Sequence, residues 1–313
     1  MANYNLTYKL PIIACFLATS ALPADYELTG RIIPETAASV SLHGATMPFE
    51  STTLSDPRGR FRFRKLPPGT YTLAVFEPQH GEARQTIEVG PGTADSKSRM
   101  SITLHLEDDP SQRRATVSAR ELSIPARARQ EYAEAQKRLS RPDVDGAIAH
   151  LQRAVEIAPQ FSAAWNRLGT IAYQSRKYPE AETYFRKSLE ADPQAFEPLV
   201  NLGGVLLNLG KPDEALRLNL YAVLRQPRDA LSNSQLGMSY FLTRKPDLAE
   251  KYLTVAKQLD PAHFSHPQLM LSEIHLQRDE RAAAIEELED FLRRHPDAPE
   301  AAGVTAALTR LQQ

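Results

Sequence analysis

Five prolines and five alanines set the strongest constraint on what this chain can fold into. Pro159, Pro193, Pro227, Pro261 and Pro296 are separated by 34, 34, 34 and 35 residues, and twelve positions before each stands Ala147, Ala181, Ala215, Ala249 or Ala284. Self-similarity at such a period signals one supersecondary unit stacked on copies of itself, because a single unit cannot bury its apolar face alone. Each proline ends a helix, since it lacks an N–H donor and excludes the preceding residue from the helical region. The alanines let a facing helix approach closely. Gly169, Gly203 and Gly237 do the same from the opposing helix, at a helix cost of ~1 kcal/mol each relative to alanine. Leu168, Leu202 and Leu236 fill the space beside them. The period therefore predicts an all-α solenoid over 125–313.

The units read LGTIAYQSRKYPEAETYFRKSLEADP, LGGVLLNLGKPDEALRLNLYAVLRQP and LGMSYFLTRKPDLAEKYLTVAKQLDP. In length and in the placing of small residues they resemble tetratricopeptide repeats (TPRs). The resemblance implies about five repeats, at 128–161, 162–195, 196–229, 230–263 and 264–297, with a capping helix at 298–313. The outer units depart from the pattern, with Ala135 and Leu271 at the glycine position, as terminal repeats do. Trp165 holds the large aromatic position once, and Leu199 and Asn233 replace it later, so poorer packing is expected there. In the family the first helix of each pair lines a concave groove. Carried over unit by unit, that rule names Asn166, Thr170, Tyr173 and Gln174, then Val200, Gly204, Leu207 and Asn208, then Ser234, Met238 and Phe241, and finally Gln268, Ser272 and His275. This lining is apolar and neutral. It lacks the lysines and arginines that would clamp a terminal carboxylate, and it suits an amphipathic or extended segment of a protein or peptide partner. Two other readings stay open: Val200, Leu207, Met238 and Phe241 as inter-repeat core, or a groove filled by the protein's own N-terminal half.

Ahead of the repeats the period changes to two. Between Tyr26 and Asp108 short alternating runs, YELTGRII, SVSLHG, FESTTLS, GRFRFRKL, TYTLAVFE, ARQTIEV and MSITLHL, are broken by Gly, Pro, Asp and Ser. Seven such runs predict a small antiparallel β-sandwich. The segment from Gly59 to Val75, with its Pro67-Pro68-Gly69 turn, resembles carboxypeptidase regulatory-like domains, prealbumin-like sandwiches fused to many exported bacterial proteins. The resemblance covers 25–108 and implies an accessory module with no catalytic residues. Arg58, Arg60, Arg62 and Arg64 fall on one face and Phe61 and Phe63 on the other. The basic face is either a solvated surface that discourages edge pairing or a site for an acidic envelope polysaccharide or phosphate. The second choice defines the alternative function, a cell-envelope glycan-binding protein with repeats for assembly. The polar, aperiodic stretch 109–124 is the expected linker, with Leu122 and Ile124 placed to dock on the first repeat.

Residues 1–24 have the order of a signal peptide: Lys9, the apolar run LPIIACFLA, then small residues before Asp25. A buried N-terminal strand or helix is the competing reading. The run falls short of the ~20 apolar residues of a membrane span, so no spanning segment is expected and the protein is placed in the periplasm or outside the cell. Ile12-Ile13-Ala14-Cys15 resembles a lipobox, but only five residues separate Lys9 from Cys15, so lipidation there is not expected. Cleavage would leave a chain without cysteine. With 37 basic and 38 acidic residues the net charge is -1, which gives nucleic acid no global attraction. Phosphate-binding glycine loops, GxSxG and HExxH motifs are missing. Of eight histidines only His263 and His266 stand close together, too few for zinc. The expectation is a non-enzymatic interaction scaffold with no cofactor or metal.

Overall fold

The computed structural model describes residues 25–78, 81–106 and 123–313. The leader reading with Cys15, and most of the linker with Leu122, fall outside them. The alternating runs become seven strands: β1 (Tyr26–Ile33), β2 (Ser39–Gly44), β3 (Glu50–Leu54), β4 (Arg60–Leu66), β5 (Gly69–Glu77), β6 (Gly81–Val89) and β7 (Arg99–His105). They form two sheets, ordered β4-β1-β7 and β3-β2-β5-β6. Pairing is antiparallel except between β1 and β7, which run parallel. That exception is invisible in the strand pattern, because periodicity reports which face is buried and not which neighbour a strand takes. Inward residues of both sheets meet in one core, where Leu28, Ile32, Val40, Leu42, Leu73 and Val75 are almost fully buried. Phe61 and Phe63 lie inside as alternation requires, while Arg60, Arg62 and Arg64 lie outside. Arg58 belongs to the turn before β4. Gly69, the first residue of β5, has φ +154.

Eleven helices follow among the described residues. They are α1 (Ala126–Leu139), α2 (Val144–Ile157), α3 (Ser162–Gln174), α4 (Tyr178–Ala191), α5 (Phe196–Asn208) and α6 (Pro212–Arg225), then α7 (Ala230–Leu242), α8 (Pro246–Leu259), α9 (Pro267–Gln277), α10 (Arg281–Arg294) and α11 (Ala301–Leu311). Successive pairs stack as the 34-residue register requires. The glycines sit where two helices touch: a Cβ on Gly169 would lie 2.6 Å from the Phe185 ring, and one on Gly237 would lie 2.7 Å from Leu253 Cγ. Phe185, Asn219 and Leu253, one repeat apart, are the side chains that fill the glycine notches. Ile124 docks on the first repeat, buried with Ala128, Leu139 and Phe161. At the far end Val304, Leu308 and Leu311 of α11 cover Leu288 and Phe291. The connections from α4 to α5 and from α6 to α7 take four residues, 192–195 and 226–229, whereas the connection from α8 to α9 runs over 260–266. There α9 starts late behind His266, whose φ is +50, and the longer loop with a shorter helix accounts for the spacing of 35.

Candidate functional site

First helices of successive pairs face the same way, so equivalent positions on α3, α5 and α7 converge on the concave side. Asn166, Thr170 and Tyr173 from α3, Val200, Leu207 and Asn208 from α5, and Ser234 and Met238 from α7 line one chamber of about 2340 Å³, as do Gln174 and Gly204. Their amides are tied together: Asn201 Nδ2 donates to Asn166 Oδ1 at 3.1 Å, and Asn208 Nδ2 donates to the Tyr173 hydroxyl at 3.2 Å. Burial raises the Tyr173 phenol above its ordinary pKa, so it stays a neutral donor and acceptor. The chamber does not reach Phe241 or His275. Phe241 packs beside Ala249, Leu253 and Leu271 between repeats. His275 pairs with Glu280 at 2.7 Å at the end of α9. In the same unit Gln268 and Ser272 are buried, Gln268 Nε2 donating to Pro261 O at 2.8 Å and Ser272 Oγ to Leu269 O at 2.8 Å.

The opposite wall was not named by the sequence. It is the outward face of the four-stranded sheet, through His43, Thr72, Ala74, Phe76, Arg84 and Thr86. Alternation places these residues on the outside of β2, β5 and β6, but a polar outer face reads as solvent-facing until something is known to cover it. The sandwich is seated across the concave side at both ends. Near the first repeats Glu50 pairs with Arg167 at 2.9 Å and accepts from Gln136 Nε2 at 3.0 Å, and Gln174 Nε2 donates to Gly44 O at 2.8 Å. In the middle Arg84 reaches Glu197 at 3.4 Å while held by Glu82 at 2.8 Å. Near the last repeats Asp260 Oδ2 accepts from Thr86 N at 2.9 Å and Asp297 Oδ2 from Gly92 N at 2.8 Å. His295 stands 3.4 Å from Glu88. Burial, with Arg167 and Arg84 nearby, lowers His43 to about 3, and burial likewise lowers His263 and His266 to about 3, so all three rings are neutral near pH 7.

The arginine ladder lies on the other sheet, away from the chamber. Arg60 pairs with Asp56 at 2.7 Å and Arg62 with Glu27 at 2.5 Å. Arg58, Arg60, Arg62 and Arg64 are all exposed. Among the described residues no group of three or more His, Cys, Asp or Glu is placed to hold a metal ion. No helix among them is long and apolar enough to cross a membrane.

Helix pairs stacked at a 34-residue interval around a lined concave face define the class, a tetratricopeptide-repeat protein. The tetratricopeptide repeat family model matches residues 132–196 and 200–263, and the carboxypeptidase regulatory-like domain model matches residues 27–105. The chain is thus a tetratricopeptide-repeat protein carrying an N-terminal carboxypeptidase regulatory-like domain. No curated protein matches the chain at the level of a relative. Among solved structures it is similar to PilW, described as a widely conserved type IV pilus biogenesis factor, at 18% identity and a TM-score of 0.51, over 60% of this chain and 91% of that one. It is also similar to MamA from Desulfovibrio magneticus RS-1, at 21% identity and 0.49, over 56% and 100% of the two chains. For pilF of Pseudomonas aeruginosa the figures are 21%, 0.48, 62% and 94%. The likeness to PilW is one of fold.

Proposed function

We propose that this protein is a non-enzymatic interaction scaffold that receives a segment of a partner polypeptide between the concave face of its repeats and its own β-sandwich. The observation that carries this reading is the chamber, which takes in residues of three successive first helices. Its volume of about 2340 Å³ exceeds the ~300–1,000 Å³ of small-molecule pockets, so size favours a polymer. Apolar Val200, Leu207 and Met238 alternate with amides and hydroxyls, the mixture that holds an extended or amphipathic segment by side-chain anchors and backbone bonds. We also infer that the chain is exported, on the strength of the leader-like order of residues 1–24.

The full chain, used to select from a displayed library of peptides, should enrich sequences with spaced apolar anchors. Leu207→Glu with Met238→Glu should then weaken the selected peptides by at least about tenfold, the result of burying an unpaired charge, while the helical circular-dichroism signal persists. Unaltered affinity in that folded variant would sink the proposal. Glycan binding through the arginine ladder is the weaker reading, because Arg60 and Arg62 already have carboxylate partners. Charge reversal at those two residues should leave envelope retention unchanged.

A further inference from the structure

The two modules share no apolar cluster. The apolar core of the sandwich contains residues of the sandwich alone, and the apolar clusters of the solenoid contain residues of the solenoid alone. What joins them is a set of ion pairs and hydrogen bonds: Glu50 with Arg167, Gln174 with Gly44, Arg84 with Glu197, Asp260 with Thr86 and Asp297 with Gly92. Interfaces of that character within a chain are exchangeable, because little apolar surface is returned to water when they part. Gln174, one of the groove positions, is spent on a carbonyl of the sandwich itself.

Imidazoles stand at both ends of this contact. On β2, His43 lines the chamber with Arg167 and Arg84 close by and Glu50 at 3.8 Å. On the long loop between α8 and α9, His263 also lines the chamber, beside Asp260. His266 lies with its ring 4.4 Å from that of His295 and 5.0 Å from Phe291. Facing them from β6 is Glu88, and from α10 and the loop after it Asp290, held by Arg294, and Asp297. Glu88 Oε2, Asp260 Oδ1 and His295 Nε2 are buried there without a hydrogen-bond partner from the protein.

We propose that the sandwich is a releasable lid over the concave face and that mild acid opens it, through the imidazoles that stand at its two seats. The sign follows from linkage. Docked, burial with Arg167 of the solenoid alongside holds His43 at about 3, and burial holds His263 and His266, whose ring contacts lie within the solenoid, equally low, whereas a freely hydrated imidazole titrates at ~6.5. Below that value the open state takes up protons that the docked state refuses. The opening constant therefore rises by up to about tenfold per pH unit for each imidazole released. The lid is fully held above pH ~6.5 and loses that support as the pH falls. Asp260 acts in the opposite sense: burial raises its carboxyl, so its protonation in acid favours docking. The acid response of the imidazoles belongs between pH 7.5 and 5.5, on either side of ~6.5.

This device regulates the site proposed above, but the lid can be read without any peptide. Dyes on Leu54→Cys and Leu224→Cys, exposed by 76% and 71%, in a Cys15→Ser background of the full chain, report the distance from sandwich to solenoid. The distance should lengthen between pH 7.5 and 5.5 with the helical signal unchanged, and His43→Asn with His263→Asn should stay closed at pH 5.5. Should that pair lose its helical signal at pH 7.5, His43→Asn alone carries the test, opening up to about tenfold less than the parent at pH 5.5. A distance that does not change overturns the proposal. So does equal opening in the variants, or loss of helical signal in the parent, which would place the acid sensitivity in the solenoid and not in the lid. A lid that opens while selected peptides ignore Leu207 and Met238 would leave this inference standing and remove the peptide reading.

Discussion

Three unlike residues close the same junction in three of the repeats. Trp165 Nε1 donates to Pro159 O at 2.8 Å, Asn233 Nδ2 to Pro227 O at 2.9 Å, and Gln268 Nε2 to Pro261 O at 2.8 Å. The carbonyl of the proline that ends one helix is thus capped by a side chain of the next. Trp165 adds a stack on Tyr184, with ring centroids 5.9 Å apart, which Asn233 cannot supply. The loss of aromatic packing expected at Asn233 is accompanied by a retained hydrogen bond, because the donor matters as much as the bulk. Asn233→Ala should cost about 1–2 kcal/mol in chemical denaturation, the worth of a buried hydrogen bond left unmade. The glycines give a sharper contrast. A Cβ on Gly203 would stand 1.8 Å from Asn219 Oδ1, and Asn219 is itself fixed by Ser239 at 3.0 Å. Gly203→Ala should therefore destabilise by about 1–3 kcal/mol. Gly303, inside α11, has nothing within 4 Å of its Cβ position, so Gly303→Ala should stabilise by about 0.5–1 kcal/mol through helix propensity. If the two substitutions shift the melting temperature in the same direction, the packing account of the glycine notches is wrong.

At the scale of elements, the two ends of the solenoid differ in what covers them. α11 buries Val304 against Leu288 and Phe291, and without it those side chains meet water. Truncation after Asp297 should lower the melting temperature by several degrees and raise binding of a hydrophobic dye, while α1 to α8 keep their helical signal, since each repeat depends only on its neighbours. The loop from α8 to α9 was legible as an irregularity of one residue in the proline spacing. Its consequence was not, because a spacing of 35 says that a residue has been added and not where the added chain points. Asp260, which caps α8 as Asp192 and Gln226 cap α4 and α6, precedes the added residue and meets the backbone of β6, where Thr86 N would otherwise be an unpaired donor on an edge strand.

The whole molecule is a solenoid closed over its own first domain. Glu50 is the pivot of the first seat, 5% exposed, with Arg167 and Gln136 both directed to it. Glu50→Ala would strand a largely buried guanidinium, and loss of one partner from such a pair costs about 3–5 kcal/mol. The expected outcome is an open lid at neutral pH, seen as a larger radius in small-angle scattering with strand and helix signals intact. A radius equal to the parent's would show that the first seat does not hold the sandwich.

What the sequence determined by itself was periodic: the number of helix pairs, the seven strands, the small-residue notches, and the groove positions on α3, α5 and α7 that come to line one wall of a chamber. These follow from spacing, because a residue's face on a helix or strand is set by its position within the period. Tertiary structure decided the rest. It set the parallel neighbour of β1, left Phe241 and His275 off the chamber, and laid the polar face of one sheet across the groove. Those outcomes depend on contacts between residues more than a hundred positions apart, such as Thr86 with Asp260 and Gln174 with Gly44. Polar side chains of that kind look the same in a sequence whether they face water or a docked partner, and only the packing of one module on the other tells the two apart.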